Sequence, residues 1–274
     1  MIFNNDTIKK ELSGLLDTSR QARRHHLIFL LKMTLAVFLI LCCTGFAIGI
    51  GFVRGAIDAA PSLDILSAQP QGYSSQIYDA DGNLMQTLVM EGSNREEVSF
   101  DQLPDDLVNA FIAIEDSRFY EHNGIDVRGI LRAFVKNITS GDLSEGASTI
   151  TQQLLKNNVF TNWTKESTWL ERFTRKIQEQ YLAVEVEKKI NNKDVILENY
   201  LNTINLGAGT YGVQAAARKY FNKDVWDLNL SESATLAGIT QNPTQFNPIV
   251  HPEENAKRRK EVLDHMIAQG YITQ

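Results

Sequence analysis

Ala113 to Asp126 reads AIEDSRFYEHNGID and packs Glu115, Asp116, Arg118, Glu121, His122 and Asp126 around two aromatics. Val108, Phe111 and Ile112 precede it at i, i+3 and i+4, and Glu115 is the i+7 position of that stripe. On a helix that persists, Glu115 faces where the apolar side chains face. A partly dry carboxyl holds its proton to higher pH, which suits general acid or base work near neutrality. The alternative is a solvated helix end at Glu115 and Asp116, with His122-Asn123-Gly124 as the stop signal.

Two further stretches carry polar groups at helical spacing. In EGASTITQQLLKNN, 145–158, Thr149 and Gln152 match a capping box, so a helix is expected to start near Ser148. Thr149, Gln152, Gln153 and Lys156 then share one face, with Ile150, Leu154 and Leu155 away from it. A helix N-terminus dressed with hydroxyls, amides and a lysine suits an anionic, hydroxyl-rich ligand; a surface helix with a polar side reads the same way. In LERFTRKIQEQYLAVEVEKKI, 170–190, Arg172, Arg175, Lys176 and Glu179 share a face that continues as Leu182, Ala183, Val186 and Ile190. Phe173, Ile177, Tyr181 and Val184 lie on the other. A helix apolar on both sides is expected to be central. Three cations leading into it suit a phosphate grip, or an ordinary salt-bridged helix.

Other chemistries find little support. Gly207-Ala-Gly209-Thr-Tyr-Gly212 fits G-x-G-x-x-G by letter, but it follows a helical pattern instead of a strand and reads as a tight inter-helix loop. The chain has no Ser-x-x-Lys, so a penicilloyl-type serine nucleophile is absent from it. Its five histidines are scattered, which does not suggest a structural metal. With a net charge of −6 the 274-residue chain lacks the basic footprint of a nucleic-acid binder.

The elements that must position these groups are mostly helical. Leu27 to Val53 is an apolar run with one charge, Lys32, long enough to span a bilayer as a helix. Arg20, Arg23, Arg24, His25 and His26 precede it, so residues 1–26 are expected on the cytoplasmic side and the bulk of the chain outside. The run is longer than the core of a cleaved signal peptide. Cys42 and Cys43 both lie in it, which leaves no disulfide for the outer domain. Residues 54–74, with Pro61 and Pro70, read as a connector. Gln76 to Met90 alternates about Asp81-Gly82, a hairpin signal. Helices are expected from about Leu103, over Asp126–Ile138, Leu170–Ile190, Lys193–Ile204 and Tyr211–Tyr220, then Ser231–Ile239 and Ala256–Gln269. Asp126–Ile138 sets Val127, Ile130, Leu131, Phe134, Val135 and Ile138 against Arg128, Arg132 and Lys136, the pattern of a helix on a membrane surface or of one facing a core. The stop at GYITQ just after a helix reads as the end of a fragment.

These blocks together resemble the peptidoglycan glycosyltransferase family, the domain at the N-terminal side of class A penicillin-binding proteins and in monofunctional transglycosylases. The matching stretches, in the family's order over roughly residues 75–272, are Glu115 to Gly124, Gly146 to Asn157, Arg175-Lys-Ile-Gln-Glu179, Lys193 through Asn202 to Gly212, and Leu236-Ala-Gly with Pro243 and Pro248. The segment between Asn157 and Arg175, with Trp163 and Trp169, is a little longer than the family leads one to expect. The resemblance implies a mainly α, lysozyme-like domain over 75–274 with a smaller membrane-proximal lobe, behind one transmembrane helix at 27–53. It implies polymerisation of lipid II into β-1,4-linked glycan strands at the outer face of the cell membrane, with inversion and release of polyprenyl pyrophosphate. Glu115 would be the general base, and Lys156, Arg172, Arg175 and Lys176 would hold the pyrophosphate. Glu179 would orient those cations or share a divalent ion, Mg2+ or Mn2+, with it. Asp116, Phe119, His122, Gly124, Ser148, Thr149, Gln152, Gln153, Asn157 and Asn202 would line the substrate site. Lipid II, the growing strand, the bilayer and other cell-wall synthesis or division proteins are the implied partners, with helix 126–138 at the bilayer. A lysozyme-type enzyme that cleaves peptidoglycan with Glu115 as acid, and a non-catalytic anchored scaffold, are the alternatives.

Overall fold

The computed structural model describes residues 5–62, 75–82, 84–88, 95–140, 146–160 and 163–273. It divides into two units, residues 1–58 and 59–274.

The first unit is one helix, α1 (Asn5–Asp58), and its stretch Arg24–Asp58 is long and apolar enough to cross a membrane. The helix continues five residues past the expected end of the span at Val53 and takes in the expected tail from Asn5 onward. Much of the expected connector, Pro70 included, lies outside the described residues.

The second unit opens with the expected hairpin, β1 (Ser75–Tyr78) antiparallel to β2 (Leu84–Leu88). Its turn closes with Gly82 N–H donating to the Asp79 carbonyl, and Gly82 takes a φ of +84°, which glycine adopts without cost. The rest is helical: α2 (Asp105–Glu115), α3 (Val127–Ser140), α4 (Ile150–Asn158), α5 (Trp169–Ile190), α6 (Lys193–Thr203), α7 (Val213–Phe221), α8 (Leu230–Ile239) and α9 (Pro252–Ala268). The core joins α2, α4, α6, α7, α8 and α9 around Phe111, Leu154, Tyr200, Leu236 and Met266. A smaller cluster of Leu155, Leu182, Ala183 and Val186 fastens α5 to α4.

Two helices depart from their expected settings. On α5 the face of Leu182, Ala183 and Val186 is buried, but Phe173, Tyr181 and Val184 are exposed, so the helix is not central. The core had room for one of its two apolar stripes. On α3 the side turned inward is small, Gly129 and Ala133. Val127, Leu131, Phe134, Val135 and Ile138 are 59–66% exposed, which rules out the core-facing reading.

Candidate active site

Glu115 closes α2, and its carboxylate is half-buried. Gln153 of α4 donates its amide N–H to Oε2 at 2.7 Å. Thr240, just past α8, donates its hydroxyl to Oε1. The Gln153 carbonyl oxygen in turn accepts from the hydroxyl of Tyr200 at 3.2 Å, and Tyr200 is wholly enclosed. The solvated reading of Glu115 therefore fails: Gln153 of α4 and Thr240 just past α8 hold the carboxylate, and Tyr200 of α6 holds Gln153.

Beside this carboxylate, α4 and α5 carry the cations. Glu179 is 1% exposed and accepts from Arg175 on Oε1 and from Lys176 on Oε2, the latter at 3.0 Å. A carboxylate this dry is tolerable only because both oxygens are matched by positive charge. Lys176 also donates to Ser148 Oγ at 2.6 Å. Arg175 reaches Glu166 Oε1 through Nε at 2.7 Å. Burial works against its positive charge, but Glu166 and Glu179 outweigh that and hold the guanidinium more firmly charged than usual. Lys156 lies over the ring of Trp163 at 4.5 Å. Burial pushes its amine below the usual lysine range; Glu179 and Glu115 oppose that, while Lys176 and Arg175 add to it.

The local structure explains this placement. Thr149 is the N-cap of α4 and accepts from Gln152 N–H at 3.2 Å, as the spacing predicts. The Gln152 side chain does not complete the box; it donates instead to the Gly124 carbonyl at 3.2 Å, where the Thr149 hydroxyl also donates at 2.8 Å. Asp116 accepts from Ile150 N–H at the positive end of α4 and from His122 Nε2, each at 3.0 Å. These bonds tie the turn after α2 to the start of α4 and so bring Glu115 within reach of Gln153.

Several residues expected at the substrate are used for this scaffold. Phe119 is fully buried beneath the Lys193 amine. Gly124 is pressed against α5, where a Cβ would come within 2.6 Å of the Ala183 backbone, and its φ is +86°. Asn202 spends its amide on both backbone groups of Val98, accepting at 3.0 Å and donating at 2.8 Å. Arg172 turns away from the cations and donates to the Thr168 carbonyl at 3.3 Å, in solvent. Asn157 sits half-buried in the last turn of α4. Glu166, Trp163, Tyr200 and Thr240 were absent from the expected site. Thr240 lies 125 positions from Glu115, and nothing local in its sequence marks it.

A cleft of about 480 Å³ is lined by Glu115, Ser148 and Thr149 together with Gln241, Arg258 and His265, and the cation group meets it through the Lys176 bond to Ser148. Among the described residues no three metal-ligating side chains come together, and both oxygens of Glu179 are engaged by cations. That donor set does not fit a resident divalent ion. The loop Gly207–Gly212 joins α6 to α7, with Gly207, Gly209 and Gly212 all at positive φ, a tight inter-helix turn.

The model of the transglycosylase family matches residues 81–267. Penicillin-binding protein 1A of Aquifex aeolicus is 43% identical over 213 residues, 78% of this chain and 28% of that protein. Penicillin-binding protein 1F of Bacillus subtilis is 46% identical over 200 residues, 73% of this chain and 27% of that protein. A crystal structure of penicillin-binding protein 1A from Haemophilus influenzae aligns with a TM-score of 0.41 and 27% identity, over 74% of this chain and 19% of its own. The chain thus spans less than a third of the length of these relatives. With the family model matching well over half of its residues, the chain belongs to the transglycosylase family.

Proposed function

We propose that this chain polymerises lipid II into β-1,4-linked glycan strands, using Glu115 as general base. The observation that carries the reading is the shared cleft. Glu115 and Ser148 line it together, and Ser148 is bonded to Lys176 of the cation group. A sugar hydroxyl beside Glu115 gives its proton to the carboxylate as its oxygen bonds to the donor's anomeric carbon. The bond from that carbon to the diphosphate oxygen breaks on the opposite face, so configuration inverts. Negative charge grows on the departing diphosphate, where Lys156, Arg175 and Lys176 stabilise it. Ser148, half-buried and bonded to Lys176, contacts sugar or phosphate oxygens.

The outward apolar side of α3 supports a membrane setting. Burying one such side chain stabilises by about 1.5–3 kcal/mol, and a face of five in water points to a cover. Lipid fits, because Arg128, Arg132 and Lys136 flank that face. The domain would then work at the outer face of the bilayer, behind the α1 anchor.

The test is glycan polymerisation from purified lipid II. E115Q is expected to lose about 10²–10⁴-fold in rate while still binding lipid II, and K156A to lose rate as well. Turnover of finished polymer by the wild-type chain, with none of lipid II, would instead favour a cleaving enzyme. Unimpaired polymerisation by E115Q would remove the base assignment.

A further inference from the structure

We infer that Thr240 is a positioning residue for the Glu115 base, a hydroxyl rotor that turns as the carboxyl gains or loses its proton. The inference rests on the base reading above. An ionised carboxylate only accepts hydrogen bonds, and here its oxygens meet two donors, the Gln153 amide on Oε2 and the Thr240 hydroxyl on Oε1. The amide is held in that sense by Tyr200, whose hydroxyl donates to the Gln153 carbonyl oxygen. Turned over, the amide would point its N–H groups at Tyr200 and strand the buried phenolic proton.

Thr240 has one proton and two acceptors, Glu115 Oε1 and the Ala237 carbonyl one turn back at 2.8 Å. While Glu115 is ionised the charge-assisted bond is the stronger, and the proton points at it. Once Glu115 has taken the proton of the acceptor hydroxyl, its own O–H can donate to the Thr240 oxygen, and the Thr240 proton swings to Ala237. A rotation about one C–O bond thus keeps the site satisfied in both charge states, with no heavy atom displaced. Leaving either state unsatisfied in a half-buried site would be costly.

The other groups near Glu115 can be named. Asp116 follows it in the chain, Lys156 faces it from α4 and the Tyr200 phenol from α6. Arg258 and His265 of α9, with Asp126 and Arg132 at α3, line the same cleft. All are retained when Thr240 alone is changed, so a displaced pH profile reports the hydroxyl.

The experiment follows kcat/KM for lipid II polymerisation against pH, using the full chain in detergent, for wild type, T240V, T240A, T240S and E115Q. Loss of a hydrogen bond to a charged group is expected to raise the midpoint of the acid limb by about one pH unit in T240V and T240A. KM is expected to stay within about twofold, and T240S to superpose on wild type. T240A only removes atoms from a half-buried helix end and decides the matter if T240V does not fold. Profiles of T240V or T240A that coincide with wild type, or a T240S profile displaced as far as theirs, would overturn the inference while leaving an inactive E115Q to support the base. An active E115Q would remove both.

Discussion

Glu166 sets the resting state of the cation group. Its Oε1 holds Arg175, and its Oε2 is buried with no hydrogen-bond partner among the described residues. It is an anion already seated where the proposed diphosphate would bind, on the same short segment whose Trp163 covers Lys156. E166Q removes that competitor, and binding of inorganic pyrophosphate measured by calorimetry is expected to tighten about fivefold, which is what about 1 kcal/mol amounts to. If Glu166 instead aims Arg175 at its ligand, binding will weaken. Glu115 was legible because the i, i+3, i+4, i+7 rule carries through a helix end, and Arg175, Lys176 and Glu179 because they share one helix face. Thr240 and Tyr200 were not, because their contacts are set by how α6 and α8 pack, which no local spacing encodes. Asn202 misled for the same reason: an amide looks alike in sequence whether it meets a ligand or the Val98 backbone.

Among the elements, α3 depends most visibly on one side chain. Asp126 accepts from Gly129 N–H at 2.9 Å at the helix N-terminus and from Arg118 at 2.5 Å. Burial alone would raise its carboxyl, yet the Gly129 and Arg118 bonds outweigh that and hold it below the usual aspartate range. A carboxyl depressed in the folded state contributes stability that is whole above about pH 4 and is lost as pH falls through the folded value. The wild-type thermal midpoint should therefore drop on acidification below about pH 4, and D126N should start lower and lose that part of the slope. The helix pattern was readable nearly end to end from its spacing, with Thr149 announcing the start of α4; the caps Thr168 and Asn229 emerged only in the structure. Which side of α3 and α5 faced inward was not. Periodicity says that a stripe exists, and only the rest of the core says whether there is a place for it.

For the molecule as a whole, the proposal joins an anchor helix and an apolar helix face to a site for a lipid-borne substrate. At about 1.5 Å per residue the 35 residues of Arg24–Asp58 reach some 50 Å, more than the roughly 30 Å of hydrocarbon to be crossed. If the outer face of α3 rests on lipid, L131E/F134E should lower the polymerisation rate on lipid II in vesicles by at least about tenfold, the scale of losing one buried apolar side chain, and change it little on lipid II in detergent. Equal loss in both settings would point to a folding defect. The charge of the site carries a different consequence. In a chain of net charge −6, the three cations Lys156, Arg175 and Lys176 stand against the two carboxylates Glu166 and Glu179. An anion entering such a place finds a shallow well and not a sink. If a diphosphate is the anion these groups take, their bonds to Glu166 and Glu179 stand ready to re-form, so its stay would be brief and the site would empty itself for the next round.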